Sequence, residues 1–322
     1  MRRREFLGGL GGAVAWPLSA RAQQSTKIAH IGVLANFRLP PFRRLSRKLH
    51  ELGYIEGQNL RVDYRFTEGR DERYPTMVAE LVALPVDLIV TSGTPAALAA
   101  KRATHTIPIV MASIGEAVST GVVSNLARPG GNITGFAAVN VELEVKRLEA
   151  LKELLPHLSR VGMLANAMNP LLNASLKNLR PAAESMSLKL DLFEIRTKDE
   201  IESVLLRVAQ AHPDAVIVAA DSVLLSQRKE VVAFLAKHNL PAIYPFREYA
   251  EVGGLIVHGA NLGILFELAA GYVDKIFKGA KPGDLPVQQA TEFELIINRK
   301  AATALGLKIP PALLARADEV IE

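Results

Sequence analysis

From residue 27 onward, short apolar runs alternate with longer amphipathic stretches, and brief polar turns separate them. The apolar runs have the length of strands and are rich in Val and Ile, which favour extended backbone. Between them, apolar residues recur at helical spacing, as in Phe42, Leu45, Leu49 and Leu52. Strands that are buried on both faces read as continuous apolar runs. The alternation therefore predicts parallel sheets covered by helices.

The predicted strands fall into two series, each long enough for a complete sheet. The first series covers residues 28–35, 60–66, 87–91, 107–112 and 133–139. The second series covers residues 160–165, 188–195, 215–220, 242–246 and 255–258. We therefore predict an α/β fold with two Rossmann-like lobes, each built on a parallel sheet.

The order of the elements predicts three passages of the chain between the lobes. The first falls near Asn140, a helix over residues 262–278 returns to the first lobe, and the strand-like segment 293–298 belongs to the second. The predicted lobes are residues 27–139 with 261–289 and residues 140–260 with 290–322. Three connections form a three-segment hinge, which places the carboxyl ends of both sheets around one cleft.

Residues 1–22 read as an export signal. Three arginines at positions 2–4 precede an apolar stretch shorter than the roughly 20 residues that a membrane-spanning helix needs. Ala20 and Ala22 provide the small residues that a signal peptidase requires, and two of the arginines resemble a twin-arginine motif. We predict cleavage before Gln23 and a periplasmic mature protein. The alternative is that the segment remains as a membrane anchor.

Composition narrows the range of functions. The chain contains no cysteine, which excludes disulfide frameworks, thiolate metal sites and cysteine nucleophiles. The formal net charge is +5, and the N-terminal arginines contribute much of it, so we expect no nucleic-acid partner. An exported protein also lacks access to ATP and genomic DNA, which disfavours kinases and transcription factors.

Motifs typical of enzymes are missing or misplaced. The seven histidines form no pair at i and i+4 with an intervening Glu, so the helical zinc-protease motif is absent. Ser226 and Lys229 match Ser-x-x-Lys, but the companion motifs of penicillin-binding enzymes are lacking. The Gly-rich stretch at residues 8–12 precedes any strand and cannot form a dinucleotide loop. We therefore expect no cofactor, no metal and no catalytic residue.

Candidate binding residues follow the strands of the first series, at the edge expected to face the cleft. The Asn36 amide can bind a polar group, and the Phe37 ring either stacks on a planar ligand or belongs to the core. Ser92 offers a hydroxyl after the third strand. Thr94 is predicted to cap a helix whose free N–H groups suit a carboxylate, unless it serves only as a cap. Ser113 ends the fourth strand.

The second series ends in a comparable set of residues. Asn166 and Asp221 each follow a strand. Because a buried carboxylate is costly unless it is paired or faces a cleft, Asp221 either holds a ligand ammonium or caps the next helix. Tyr244, Phe246 and His258 are expected to close the pocket. The set suits a small zwitterion or carboxylate with a planar or apolar body, such as an aromatic amino acid, and Asp221→Ala is expected to weaken its binding while leaving stability nearly unchanged.

Four blocks of sequence resemble the signatures of one known family. They are residues 106–110 (TIPIV), 126–135 (LARPGGNITG), 272–280 (YVDKIFKGA) and 315–321 (ARADEVI). From Lys27 to Glu322 the chain resembles the ABC transporter substrate-binding proteins, in the group that includes tryptophan- and tyrosine-binding members. The resemblance implies a type I periplasmic binding protein that delivers a small solute to a membrane permease.

The chain departs from this family pattern at two places near the expected cleft. Residues 115–118 read GEAV where many members have GDPV, and His258 stands where Tyr is common. The resemblance therefore does not identify the solute.

Three functions are compatible with these observations, and we favour the first. It is a monomeric solute receptor of an ABC importer, with a small molecule and a membrane permease as its partners. The second is a secreted α/β enzyme that uses Asp221 or His258 as an acid or base in the same cleft. The third is a ligand-sensing module that docks on a chemoreceptor or a kinase, since one fold serves many functions.

Overall fold

The computed structural model describes residues 28–138 and 140–322. The predicted export signal and residue 139, the predicted end of a strand, lie outside the described residues. Among the described residues, no helix combines the length and the apolar character that crossing a bilayer requires.

The strands and helices alternate through most of the described chain. The strands are β1 (Ala29–Ala35), β2 (Leu60–Phe66), β3 (Leu88–Ser92), β4 (Ile109–Ile114), β5 (Ile133–Ala137), β6 (Arg160–Asn166), β7 (Lys189–Ile195), β8 (Ala215–Val218), β9 (Ala242–Tyr244), β10 (Ile256–Ala260), β11 (Gln288–Gln289), β12 (Phe293–Asn298) and β13 (Glu319–Ile321). The helices are α1 (Phe42–Glu51), α2 (Tyr74–Ala83), α3 (Thr94–Ala103), α4 (Asn140–Leu154), α5 (Leu172–Ser185), α6 (Ile201–Ala211), α7 (Ser222–Ser226), α8 (Arg228–Lys237), α9 (Arg247–Ala250), α10 (Leu262–Phe277), α11 (Arg299–Ala304) and α12 (Pro311–Ala315).

The first sheet has the strand order β11-β5-β4-β3-β1-β2, and its strands run parallel. Its four inner strands, β1, β3, β4 and β5, are buried because helices cover both faces. On one face α1 packs against α10, where the rings of Phe42 and Phe266 meet edge to face at 4.9 Å between centroids. On the other face, alanines of α3 and apolar residues of α2 pack on the sheet. The continuous apolar runs thus fill a two-sided core, as parallel strands require.

The second sheet has the order β13-β12-β10-β9-β8-β6-β7. Most neighbours are parallel, but β12 runs antiparallel to β10, with Phe293 opposite Ala260. The predicted parallel arrangement holds for the other neighbouring pairs of this sheet, and β12 against β10 is the antiparallel exception. The chain arrives from β11 by a short connection at the carboxyl end of β10, so β12 must run back along its neighbour. The α/β class with two sheets is confirmed.

Three segments of the described chain connect the two sheets. The first leads from β5 into α4, which packs on β8, β9 and β10 of the second sheet. The second leads from β10 to α10, which packs on β4 and β5, and the third joins β11 to β12. These segments fall near Asn140, Ala260 and Ala290. The residues at which one lobe ends and the other begins remain a prediction.

Gly135 allows β4 and β5 to approach closely, and its replacement tests this packing. Its φ is +136°, and a Cβ on it would collide with the backbone of Met111. Gly135→Ala should lower the free energy of unfolding by about 1–3 kcal/mol, the usual cost of overpacking, as measured by chemical denaturation.

Gly271→Ala is the matched control for this substitution. Gly271 lies within α10 with open space around its Cα, and alanine is preferred over glycine in a helix by about 1 kcal/mol. The control should match or exceed the stability of the wild type. Equal stability of Gly135→Ala and the wild type would contradict the packing described for β4 and β5.

Candidate functional site

A narrow cavity lies between the two sheets, at the carboxyl ends of their strands. Its volume is about 50 Å³, and residues from both sheets line it. Ser92 and Ser113 lie at the ends of strands of the first sheet, and Asp221 and Phe246 follow strands of the second. A single buried water needs about 10–15 Å³, so this cavity has room for a few water molecules. The lobes are therefore closed around little space, and we call the region between them the cleft.

Thr94 lies in the cleft but does not cap α3, so that part of the sequence prediction is wrong. The helix begins at Thr94, and the capping position belongs to Gly93, whose φ of +89° favours glycine. The Thr94 hydroxyl instead accepts a hydrogen bond from the Gly115 N–H at 3.2 Å. This bond ties the start of α3 to the end of β4. It places the hydroxyl and the helix start on one wall of the cleft.

Contact between the lobes is close at Gly115. A side chain at this position would collide with Leu171, which lies on the second lobe and lines the same cavity. Leu171 thus fills the space that the missing side chain leaves. The packing closes this side of the cleft with apolar surface.

Asp221 is buried and accepts four hydrogen bonds. Its Oδ1 accepts from the backbone N–H groups of Val223 and Leu224 at 2.8 and 3.1 Å, which makes it the cap of α7. Its Oδ2 accepts from the side-chain amides of Asn166 and Asn169 at 3.2 and 3.0 Å. Burial raises the pKa of Asp221, and these donors oppose the rise. The capping alternative for Asp221 is confirmed.

The Asn36 amide connects the two lobes across the cleft. Its Nδ2 donates to the Ser222 hydroxyl at 2.9 Å and to Asp71 Oδ1 at 3.1 Å. Its Oδ1 accepts from the Thr67 hydroxyl and from the Gly69 N–H. Asn36 is buried at the end of β1, and both polar atoms of its amide are satisfied. This side chain therefore links the end of β1 to the second lobe by a hydrogen bond.

Asp71 faces Asp221 from the opposite lobe. Burial, and after it the charge of Asp221, raise the pKa of Asp71 to about 6, while the hydrogen bond from Asn36 opposes the rise. None of the ion pairs between described residues includes Asp71. Two carboxylates thus approach each other with amide and hydroxyl groups between them, and neither forms an ion pair with a described residue.

The structure does not bring every candidate residue to the cleft. Phe37 is partly buried and packs on the core beside Gly69. Tyr244 is buried in β9, and its ring stacks on Tyr249 at 4.8 Å between centroids. Phe246 comes two residues after Tyr244, beyond the end of the strand, and it lines the cleft. Position relative to the strand end therefore decides which aromatic residue reaches the cavity.

His258 lies away from the cleft, beside a separate cavity of about 240 Å³ that Lys146 and Arg316 also line. The strand β10 continues to Ala260, so His258 lies within it and not at its end. Burial, and after it the charge of Arg147, lower the pKa of His258 to about 4. The imidazole is therefore neutral in its surroundings and takes no part in the cleft.

Three polar residues near the cleft were not predicted from the sequence. Asp71 begins a 3₁₀ turn after β2, Ser222 follows Asp221, and Asn169 lies in the turn after β6. Each lies in the segment that follows a strand of the predicted sheets. A search of all polar residues in such segments would therefore have identified them. Asp71 and Ser222 are far apart in the sequence, so only the folded chain shows that Asn36 joins them.

Comparison with known proteins places this arrangement in a family. Residues 43–321 match the family described as ABC transporter substrate binding protein. This chain belongs to that family. The family match covers most of the chain and confirms the resemblance noted in the sequence.

Relatives in this family bind amino acids. The chain is 26% identical to a tyrosine-binding protein of Clostridioides difficile (strain R20291) over 263 residues, which are 81% of this chain and 75% of the relative. It is 30% identical to an ABC domain of Streptococcus pneumoniae solved in complex with L-Trp, with a TM-score of 0.82 and coverage of 91% and 99% of the two chains. These relatives are solute-binding proteins and not enzymes.

A second solved structure supports the same fold. It is a conserved domain protein of Vibrio cholerae O1 biovar El Tor strain N16961, which is 28% identical to this chain. The TM-score is 0.84, and the likeness covers 91% of this chain and all of the other. Two lobes of α/β structure are thus shared across these relatives.

The four donors of Asp221 predict a stability loss in Asp221→Ala, contrary to the expectation from sequence. The substitution removes the cap of α7, leaves the Asn166 amide nitrogen without its acceptor, and leaves Asn169 with the Ala220 carbonyl as its remaining acceptor. The free energy of unfolding of the ligand-free protein should fall by about 1–3 kcal/mol in chemical denaturation.

Asn298→Ala serves as the comparison for this variant. The Asn298 side chain caps α11 by accepting one hydrogen bond, from the Ala301 N–H. The loss in Asp221→Ala should exceed the loss in Asn298→Ala. Unchanged stability of Asp221→Ala would show that the carboxylate is not structural.

The raised pKa of Asp71 predicts a defined dependence of stability on pH. From about pH 4 to about pH 6, the folded protein retains a proton on Asp71 that the unfolded chain releases. Asp71 therefore makes a contribution to stability that is lost as the pH rises through this range. Asp71→Asn has no such loss. The difference between its melting temperature and that of the wild type should therefore increase as the pH rises from about 4 to about 6.

Glu72→Gln is the control for the pH experiment, because Glu72 is the exposed neighbour of Asp71. Because the charge of Glu72 is the smallest of the causes that raise the pKa of Asp71, the melting temperature of Glu72→Gln should follow the wild type more closely than that of Asp71→Asn across the same range. A constant difference between Asp71→Asn and the wild type at all pH values would contradict the assigned shift.

Proposed function

We propose that this protein is the extracytoplasmic solute-binding protein of an ABC importer. It captures a small solute in the cleft and delivers it to a membrane permease. The observation that carries this proposal is the polar bridge from Asn36 to Ser222, which joins the two lobes across a cavity at the strand ends. A cleft that closes in this way buries a ligand and changes the surface that a permease meets.

We propose an aromatic amino acid, or a related carboxylate with a planar body, as the solute. The relatives that bind tyrosine and L-Trp support this class. The start of α3 offers N–H groups and the hydroxyls of Ser92 and Thr94 to a carboxylate, although Pro95 has no N–H. Phe246 offers an aromatic wall and Ser113 a further hydroxyl. The neighbouring Asn36 and Asp71 complete a polar side.

The closed cleft requires that the lobes move to admit such a ligand. A volume of about 50 Å³ is too small for an aromatic amino acid. We propose that residues 27–139 with 261–289 and residues 140–260 with 290–322 move as two lobes about the three connecting segments. We also propose that the protein acts as a monomer in the periplasm after removal of residues 1–22.

The cleft geometry disfavours the alternative of a secreted enzyme. Asp221 already accepts four hydrogen bonds, so it lacks a free position for accepting a substrate proton. His258 lies beside another cavity. Neither residue is placed to act as an acid or base on a ligand in the cleft.

Ligand binding and closure are tested together on the mature chain. Small molecules released by denaturing the purified protein should include an aromatic amino acid when analysed by mass spectrometry. After the ligand is removed, calorimetric titration with L-tyrosine and L-tryptophan should show binding of one molecule per chain. X-ray scattering should show a smaller radius of gyration at saturation than without ligand.

Two aromatic substitutions make the binding test specific. Phe246→Ala should weaken binding about tenfold or more, because the ring lines the cleft. Phe234→Ala is the control. Phe234 lies in α8, its ring stacks on His238 just after that helix, and it does not line the cleft. Absence of binding to both amino acids, together with identical scattering curves, would contradict the proposal.

A further inference from the structure

The hydrogen bonds of Asp221 leave it poorly suited to receive a ligand. A carboxylate has about four acceptor positions, and two backbone N–H groups and two side-chain amides occupy those of Asp221. An ammonium group would have to displace one of these donors. Displacement of the Asn166 amide or of a backbone N–H of α7 would leave a buried donor without this acceptor, which is costly, and a displaced Asn169 would keep only the Ala220 carbonyl.

Asp71 is in a different situation. Among the described residues, it accepts one side-chain hydrogen bond, from the Asn36 amide to its Oδ1 at 3.1 Å. Its side chain is partly exposed, at the start of the 3₁₀ turn Asp71–Arg73. Most of its acceptor positions are therefore available to a bound group.

The surroundings of Asp71 favour a cation over any other group. The same Asn36 nitrogen donates to Ser222, which lines the cleft, so the Asp71 carboxylate lies one amide away from the cleft wall. Asp221 lies next to Ser222 and faces Asp71 with a second negative charge. No ion pair among the described residues neutralises Asp71. A ligand cation placed here would be attracted by both carboxylates and would relieve their repulsion when the lobes close.

We propose that Asp71, and not Asp221, receives the ammonium group of the ligand and so makes the protein select amino acids over their analogues without an amino group. This inference rests on the proposed function, because it assigns one residue in the same cleft. Asp221 keeps a positioning role, since it holds Asn166, Asn169 and the start of α7 in place. These different roles of Asp71 and Asp221 also explain why the two carboxylates lie close together without an ion pair to a described residue.

The test compares ligands with and without an amino group. The probes are L-tyrosine and 3-(4-hydroxyphenyl)propanoate, with L-tryptophan and indole-3-propanoate as a second pair, titrated by calorimetry. Asp71→Asn preserves the shape of the side chain and removes its charge. We expect Asp71→Asn to lower the affinity for the amino acids at least tenfold and to change the affinity for the analogues by less than threefold. Glu72→Gln removes a charge from the exposed neighbour and should bind all probes as the wild type does.

The outcomes separate this inference from the proposed function. If the wild type binds the amino acids and Asp71→Asn binds them within threefold of the wild type, the inference is overturned and the proposed function stands. Equal losses for the amino acids and their analogues would overturn it as well, because the effect would not depend on the ammonium group. If the wild type binds none of the four probes, the proposed solute class fails and the inference fails with it. Melting curves of the ligand-free variants establish that each of them is folded.

Discussion

The Asn36 amide is the interaction on which the closed arrangement depends. It directly follows β1 of the first sheet, it is buried, and it donates to Ser222 on the other lobe. Its oxygen accepts from Thr67 and the Gly69 N–H, so the loop after β2 is held by the same group. A buried amide that lost Ser222 would need another acceptor. Opening of the lobes therefore requires that water or a ligand replace this contact.

We propose that the polar groups of the cleft divide into structural and ligand-binding residues. Asp221 and the two asparagines that donate to it form a closed set, in which each bond holds a strand end or a helix start. Asp71 on the other lobe has few partners and remains accessible. A charge that is costly to bury is tolerated at Asp221 because four donors surround it. A similar charge at Asp71 lacks that support and so favours a cationic partner.

Much of the fold could be predicted from the sequence, because parallel strands buried on both faces have a strong apolar signal. The strands from β1 to β10 and β12 were expected, with ends that differ by a few residues. The strands β11 and β13 were missed, because a strand of two or three residues is too short to show an alternation of apolar and polar positions. The direction of β12 depends on where the chain leaves the first sheet, and local pattern does not record that.

The candidate site could be predicted only in part. Residues placed just after strands, such as Ser92 and Phe246, do line the cleft. His258 was misplaced because β10 is longer than its apolar run suggests. Thr94 was misassigned because Gly93 takes the capping position. The role of Asp71 depends on a residue of the other lobe, which no local pattern identifies.

The most direct test of this account is a crystal structure of the protein with an aromatic amino acid bound. The account predicts that the ligand lies between the two sheets with its amino group within hydrogen-bond distance of Asp71. Asp221 should retain its bonds from Asn166 and Asn169. A ligand whose amino group lies on Asp221, with either asparagine turned away, would contradict the account, as would a ligand bound outside the cleft.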